Sequence, residues 1–152
     1  MIEVRPEPPD GAAAQALFAA YMEFARERVG PEFTPTEEIF ASPDVFTGPG
    51  SAWLVLYEDG VPVACAGLRP LAPDTGEIKR MFVAGPARGR GHARRLLAEL
   101  EAIARTTGYK RIRLLTTEVL AEARALYASA GYAVAAHFQE DGRTDYWLEK
   151  RL

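Results

Sequence analysis

The residues with the most chemistry in the smallest space lie in one turn, Arg88-Gly89-Arg90-Gly91-His92-Ala93. It sits between an apolar run ending at Val83 and a long amphipathic stretch beginning at Gly91. A helix N-terminus leaves backbone N–H groups unpaired and carries a partial positive charge, so an anion docks there when the backbone can come close. Gly89 and Gly91 have no side chain to hold it off, Arg88 and Arg90 add charge-assisted contacts, and Ala93 is small enough for the first helical turn to lie close. A pyrophosphate is the natural occupant. The blander reading is a basic loop capping a helix, which charge alone would favour.

Two common phosphate-binding patterns do not fit this turn. The P-loop needs Gly-Lys-Ser/Thr after its glycines, and none follows. The dinucleotide fingerprint needs a third small residue where Arg94 stands, too bulky for close helix packing. Other reactive side chains are few. Cys65 is the single cysteine, so one chain offers neither a disulfide nor a cysteine-based zinc site, and its place in the apolar run Val61 to Leu68 suits a buried strand residue better than a nucleophile. No metal-ligand spacing is present. His92 lies inside the turn, and His137 has no recognisable acidic partner.

The elements that must position the turn follow from periodicity. From Gly91 to Thr106, Ala93, Leu96, Leu97, Leu100, Ile103 and Ala104 recur at helical steps with charged residues on the other side, and Gly108 closes the helix. The run Glu77 to Val83 predicts the strand before the turn, and Arg111 to Thr116 the strand after the helix. Upstream, Ile2 to Arg5 reads as a first strand. Asp10 is the expected N-cap of a helix that Gly30-Pro31 ends. Ala52 to Tyr57 and Val61 to Leu68 form a hairpin about Glu58-Asp59-Gly60, and Pro70 to Gly76 is a further turn region. Downstream come a helix from Ala121 to Ala130 stopped by Gly131, then strands Tyr132 to Phe138 and Thr144 to Lys150 flanking an Asp141-Gly142 turn. The Pro-, Asp- and Gly-rich stretch from Thr34 to Gly50 gives the weakest pattern, with a short helix expected from Thr36 to Ala41. The whole predicts one α/β domain over residues 1–152, with a mixed, mostly antiparallel central sheet flanked by helices.

Composition sets the outer bounds. A chain of 152 residues, 48% hydrophobic, can bury a core without staples. It shows no secretory leader pattern and no apolar run near the length that crosses a bilayer, so a cytoplasmic protein with no membrane partner is expected. The net charge is −3, yet Lys79 to Arg95 alone carries +6, so the remainder carries −9. An acidic surface with one concentrated basic site suits a compact polyanion such as a nucleotide cofactor and disfavours a long nucleic acid.

With those elements in place, Arg88-Gly89-Arg90-Gly91-His92-Ala93 matches the coenzyme A turn of the GNAT N-acetyltransferase superfamily, Arg/Gln-x-x-Gly-x-Gly/Ala, at every specified position. A second motif of that family ends a later helix as Leu-Tyr-x-x-x-Gly-Phe/Tyr, and Leu126-Tyr127-Ala128-Ser129-Ala130-Gly131-Tyr132 reproduces it. In order and spacing the chain resembles this superfamily from Val61 to its end.

The resemblance implies acetyl-CoA as cosubstrate, an amine as acceptor, no metal, and direct transfer within a ternary complex. It implies that the backbone of Met81, Phe82 and Val83, at a strand bulge, holds the pantetheine arm and polarises the thioester carbonyl. It places the pyrophosphate on backbone N–H groups from Arg88 through Gly89, Arg90, Gly91 and His92 to Ala93. Tyr127 corresponds to the general acid that protonates the departing thiolate, and a core tyrosine on the same face is compatible with that role. Glu77 stands on the strand where some relatives carry their base, with water as the other option and a salt bridge to Lys79 or a cross-strand arginine as the structural reading. Leu120 replaces an Asn that often contacts pantetheine. The acceptor site falls to Ala12 to Gly50, the region around Pro70 to Gly76 and the closing hairpin. Homodimerisation is common among such small domains. A non-catalytic acyl-CoA sensor is the alternative function.

Overall fold

The computed structural model describes residues 1–34, 41–117, 121–140 and 143–152. The expected helix from Thr36, Leu120 and the Asp141-Gly142 turn lie outside the described residues. Among the described residues seven strands form one sheet: β1 (Ile2–Pro6), β2 (Ala52–Glu58), β3 (Val61–Ala72), β4 (Thr75–Val83), β5 (Arg111–Thr117), β6 (Ala133–Glu140) and β7 (Arg143–Arg151). Their spatial order is β1-β2-β3-β4-β5-β7-β6. Every neighbouring pair is antiparallel except β4 and β5, the parallel pair that a helical crossover must join. The described helices are α1 (Ala12–Val29), α2 (His92–Thr107) and α3 (Ala121–Ser129), with 3₁₀ turns at Pro43–Phe46 and Gly85–Ala87.

Each sheet face has its own core. Leu96, Leu97, Leu100 and Ala104 of α2 pack on Leu54, Leu56, Leu68, Ile78, Ile112 and Leu114. On the other face Leu17 of α1 and Phe46 meet Trp53, Val55, Tyr57, Cys65 and Phe82. The 3₁₀ turn carrying Phe46 gave no sequence signal. Its ring occupies the space where a side chain at residue 67 would stand, so Gly67 is the residue the sheet accepts there. Cys65 is buried, and burial pushes its thiol up to about 12, as an inert core residue requires.

Two boundaries differ from expectation. Gly11, not Asp10, is the N-cap of α1, and it makes no side-chain cap bond. Strand β3 runs on to Ala72 through Pro70, which shrinks the expected Pro70 to Gly76 turn to residues 73 and 74. Pro70 is tolerated because β2 ends at the Ala52↔Leu68 pair, so β3 has a neighbour on one side only at that point. The β2–β3 turn is as read: Asp59 and Gly60 both have positive φ, 50° and 81°, the pairing a two-residue hairpin favours.

Candidate active site

The parallel β4–β5 ladder is short, running from Thr75↔Arg111 to Ile78↔Leu114. Strand β4 continues to Val83 and β5 to Thr117 without pairing to each other, so the sheet is split at its middle. A bulge marks the same place. Between the pairs Gly67↔Lys79 and Cys65↔Phe82, β3 advances two residues and β4 three, and Arg80 takes φ 59°. Left-handed backbone at a long-chain residue is uncommon and needs surrounding structure to hold it. Arg80 is braced between the rings of Phe18, 5.1 Å away, and Trp53, 5.6 Å away. Beyond the bulge, Met81, Phe82 and Val83 turn their β5-facing edge to a cavity of about 700 Å³. Backbone groups on that edge have no ladder partner there, so they are available to a ligand.

The glycine turn supplies another wall. Gly89 and Gly91 have φ 79° and 83°, and Gly91 is the N-cap of α2. A Cβ built on either would meet nothing within 4 Å. Each glycine is therefore demanded by backbone conformation, while the space above it stays open for an anion. Arg88, Gly89, Gly91, His92 and Ala93 all line the cavity. Arg88 is held over it: its Nε donates to the Val83 carbonyl at 2.9 Å and its guanidinium stacks on Phe24 at 3.9 Å. Burial, then the neighbouring Arg28, lowers its pKa.

Arg90 does not line the cavity. Its guanidinium pairs with Glu58 at the end of β2. The other Glu58 oxygen lies 2.6 Å from His92 Nε2, a contact buried on the His92 side. One carboxylate thus ties both flanks of Gly91 to the sheet, and the Arg90 side chain braces the turn.

Tyr127 reaches the cavity from α3. The later motif explains its position: Gly131, at φ 99°, ends the helix, and the Tyr132 N–H then donates back to the Tyr127 carbonyl at 3.0 Å. The two rings meet edge to face at 5.9 Å. Tyr132 is fixed in turn by donating its hydroxyl to Glu101 at 3.1 Å, with Lys150 on the other oxygen at 2.8 Å. Desolvation raises the Tyr127 pKa well above that of an ordinary phenol. The phenol therefore keeps its proton across the neutral range.

Glu77 lies elsewhere. It is 1% exposed, on the sheet face opposite α2, and does not line the cavity with Tyr127. Its carboxylate lies 3.2 Å from Arg69 Nη1, its cross-strand partner, and 3.6 Å from Lys79 Nζ. Burial raises its pKa, and Lys79 and Arg69 hold it down in part. His137 is an exposed residue of β6. No group of three or more metal-ligating side chains forms among the described residues. Glu122 was missed by sequence reading. It lines the cavity and bridges α3 to α1 through Arg28 at 2.7 Å, a pairing across 94 residues with no local pattern to announce it. None of the described helices is long and apolar enough to cross a membrane.

A sequence model of the family described as "Acetyltransferase (GNAT) family" matches residues 14–132. An uncharacterised N-acetyltransferase, YjgM of Escherichia coli, is 36% identical over 91 residues, covering 58% of this chain and 54% of that protein. The chain matches just over half the length of such curated relatives. Among solved structures, a putative acyl-CoA N-acyltransferase from Klebsiella pneumoniae is 28% identical with a TM-score of 0.78, covering 100% of this chain and 98% of that one. A GNAT family acetyltransferase from Elizabethkingia anophelis, solved with acetyl-CoA bound, shares the fold at 16% identity and a TM-score of 0.68, covering 99% and 98%.

Proposed function

Because the chain belongs to the Acetyltransferase (GNAT) family, we propose that it binds acetyl-CoA between β4, the glycine turn and α3, and transfers the acetyl group directly to an amine. The observation that carries this reading is the single cavity that joins the segment beyond the β4 bulge, the open N-terminus of α2 and the buried hydroxyl-bearing ring of Tyr127. The α2 N-terminus, with Gly89 and Gly91, accepts the pyrophosphate. Backbone groups of Met81, Phe82 and Val83 hold the pantetheine arm, and an N–H among them steadies the oxyanion that forms on the thioester carbonyl.

Transfer then needs two proton movements. The amine nitrogen attacks as its neutral form, the N–C bond forms, and the C–S bond breaks. Tyr127 gives its proton to the departing sulfur. The amine proton passes to Glu77 through water, since Glu77 stands off the cavity and burial raises its affinity for a proton. No covalent enzyme intermediate is required. Release of free thiol from acetyl-CoA, followed across a panel of amines, tests the reading. Turnover with at least one amine class, lost in Tyr127→Phe, is the expected result. Tight acetyl-CoA binding without turnover of any amine would favour a sensor.

A further inference from the structure

The cavity that holds Tyr127 is lined from both faces of the sheet. Met81, Val83 and Tyr127 belong to the core under α2, whereas Tyr21, Phe24 and Phe82 belong to the core under α1. The cavity therefore spans the split between β4 and β5. Its α2 side has the open helix N-terminus at Gly91, to which the cofactor's pyrophosphate is assigned above. Its α1 side is left for the acceptor. There Tyr21 and Phe24 make an aromatic wall with Phe82, at ring-centroid distances of 5.7 and 6.2 Å.

The charges around this wall decide what it accepts. Glu122 is the carboxylate among the described lining residues, and Arg28 takes it at 2.7 Å. His92 is on Glu58 at 2.6 Å, and Arg94 donates to the Ser129 hydroxyl of α3 at 2.6 Å. Arg88 differs from these. Its guanidinium lies 3.9 Å from the Phe24 ring and 5.7 Å from that of Phe82, so the charged head sits on the α1 side, away from the α2 core. No carboxylate pairs with it among the described residues. Arg28 stacks on the same Phe24 ring at 4.8 Å, and its like charge disfavours the charged form of Arg88, a repulsion that an incoming anion would relieve. With Nε committed to the Val83 carbonyl, Nη1 and Nη2 remain to meet a carboxylate in the two-pronged geometry a guanidinium favours. Resting on the acetyltransferase reading above, we infer that Arg88 determines acceptor specificity by binding a carboxylate on the amine to be acetylated. The substrate class is an amino acid, its carboxylate on Arg88 and its apolar body against Tyr21, Phe24 and Phe82. A polyamine would bring a second cation to Arg88 and find Glu122 already taken.

The test sets amino acids against the amines that lack only the carboxylate: leucine against isopentylamine, phenylalanine against phenethylamine, and aminohexanoate against pentylamine. Short and long separations of nitrogen and carboxylate are both sampled. Wild type is expected to favour the acid in at least one pair by about 10-fold or more in kcat/KM, as a charge-assisted hydrogen bond implies. Arg88→Gln keeps a side-chain N–H for the Val83 carbonyl and removes the charge. It should bring that ratio close to unity, chiefly by raising the KM of the amino acid, with acetyl-CoA affinity by titration calorimetry retained. Wild type alone decides if the variant fails to fold, since turnover of none of the three acids, or of each no better than its partner amine, overturns the inference. A variant that loses acetyl-CoA affinity and keeps the ratio also overturns it, by placing the guanidinium on the pyrophosphate. Failure of acetyl-CoA binding in wild type would instead remove the acetyltransferase reading, and this inference with it.

Discussion

His92 Nε2 lies 2.6 Å from a carboxylate oxygen of Glu58, so the first residue of α2 is anchored to the last residue of β2. Arg90 holds the other Glu58 oxygen, and Gly91 is fixed between them. Glu58→Gln should loosen the turn without touching the ligand. Acetyl-CoA is expected to bind about 10-fold more weakly, the equivalent of about 1.4 kcal/mol, with kcat at saturation little changed. Titration calorimetry and steady-state kinetics check both halves.

Gly91→Ala probes backbone conformation at the same place. At φ 83° a Cβ costs about 1–2 kcal/mol, and no neighbour obstructs it, so the loss is conformational rather than steric. Chemical denaturation should register a destabilisation of that size. A larger one would mean that the turn is packed more tightly than its open surroundings indicate.

Tyr127→Phe removes the proposed acid and leaves the edge-to-face contact with Tyr132 intact. A fall in kcat of about 100-fold or more, with acetyl-CoA affinity retained, is expected. Burial raises the phenol above its ordinary value of 10.0, so activity should show no Tyr127 ionisation at or below that pH. A basic limb below 10 that vanishes in the Phe variant would contradict this.

The same burial links to stability. Tyr127 and Tyr132 both have raised folded-state values, Tyr132 through desolvation and then Glu101. Between the ordinary phenol value and the raised one, the folded state keeps protons that the unfolded chain has lost. Stability from these groups is complete below about pH 10 and declines as pH rises through the folded values. Melting temperatures measured above pH 10 should fall more steeply for wild type than for Tyr127→Phe.

Glu77 makes a separate claim on pH. If it takes the amine proton, kcat/KM falls as pH drops through its folded-state value, which lies above an ordinary carboxylate. Glu77→Gln should lower the rate and abolish that acid limb. An unchanged limb would leave Glu77 as the ion-pair partner of Arg69 and Lys79 and give the proton to water.

The parts of the site legible in the sequence are those whose chemistry is local. Gly89 and Gly91 announce a turn, the α2 apolar stripe announces its helix, and Leu126 to Tyr132 carries both the tyrosine and the glycine that positions it. What stayed illegible depends on distant partners. Arg90 reads as a phosphate ligand until Glu58, 32 residues away, is seen to take it. Nothing in the residue type marks Arg80 for positive φ, because the bulge is set by its register with β3. Pro70 reads as a turn because the early end of β2, which makes it tolerable in a strand, is a property of the sheet. Glu77 was legible as a strand residue, but whether it faces the cavity or an ion-pair row is decided by the sheet face it takes, opposite Ile78 and beside its cross-strand partner Arg69.

Acetyl-CoA binding to the folded protein bears most directly on the central claim. Titration calorimetry of wild type, alongside a variant with Gly89→Val and Gly91→Val, should give micromolar or tighter affinity in the first and none in the second, with the variant's circular dichroism retained. A well-folded wild type that binds no acetyl-CoA, or a variant that binds it as tightly, would contradict the assignment of the glycine turn.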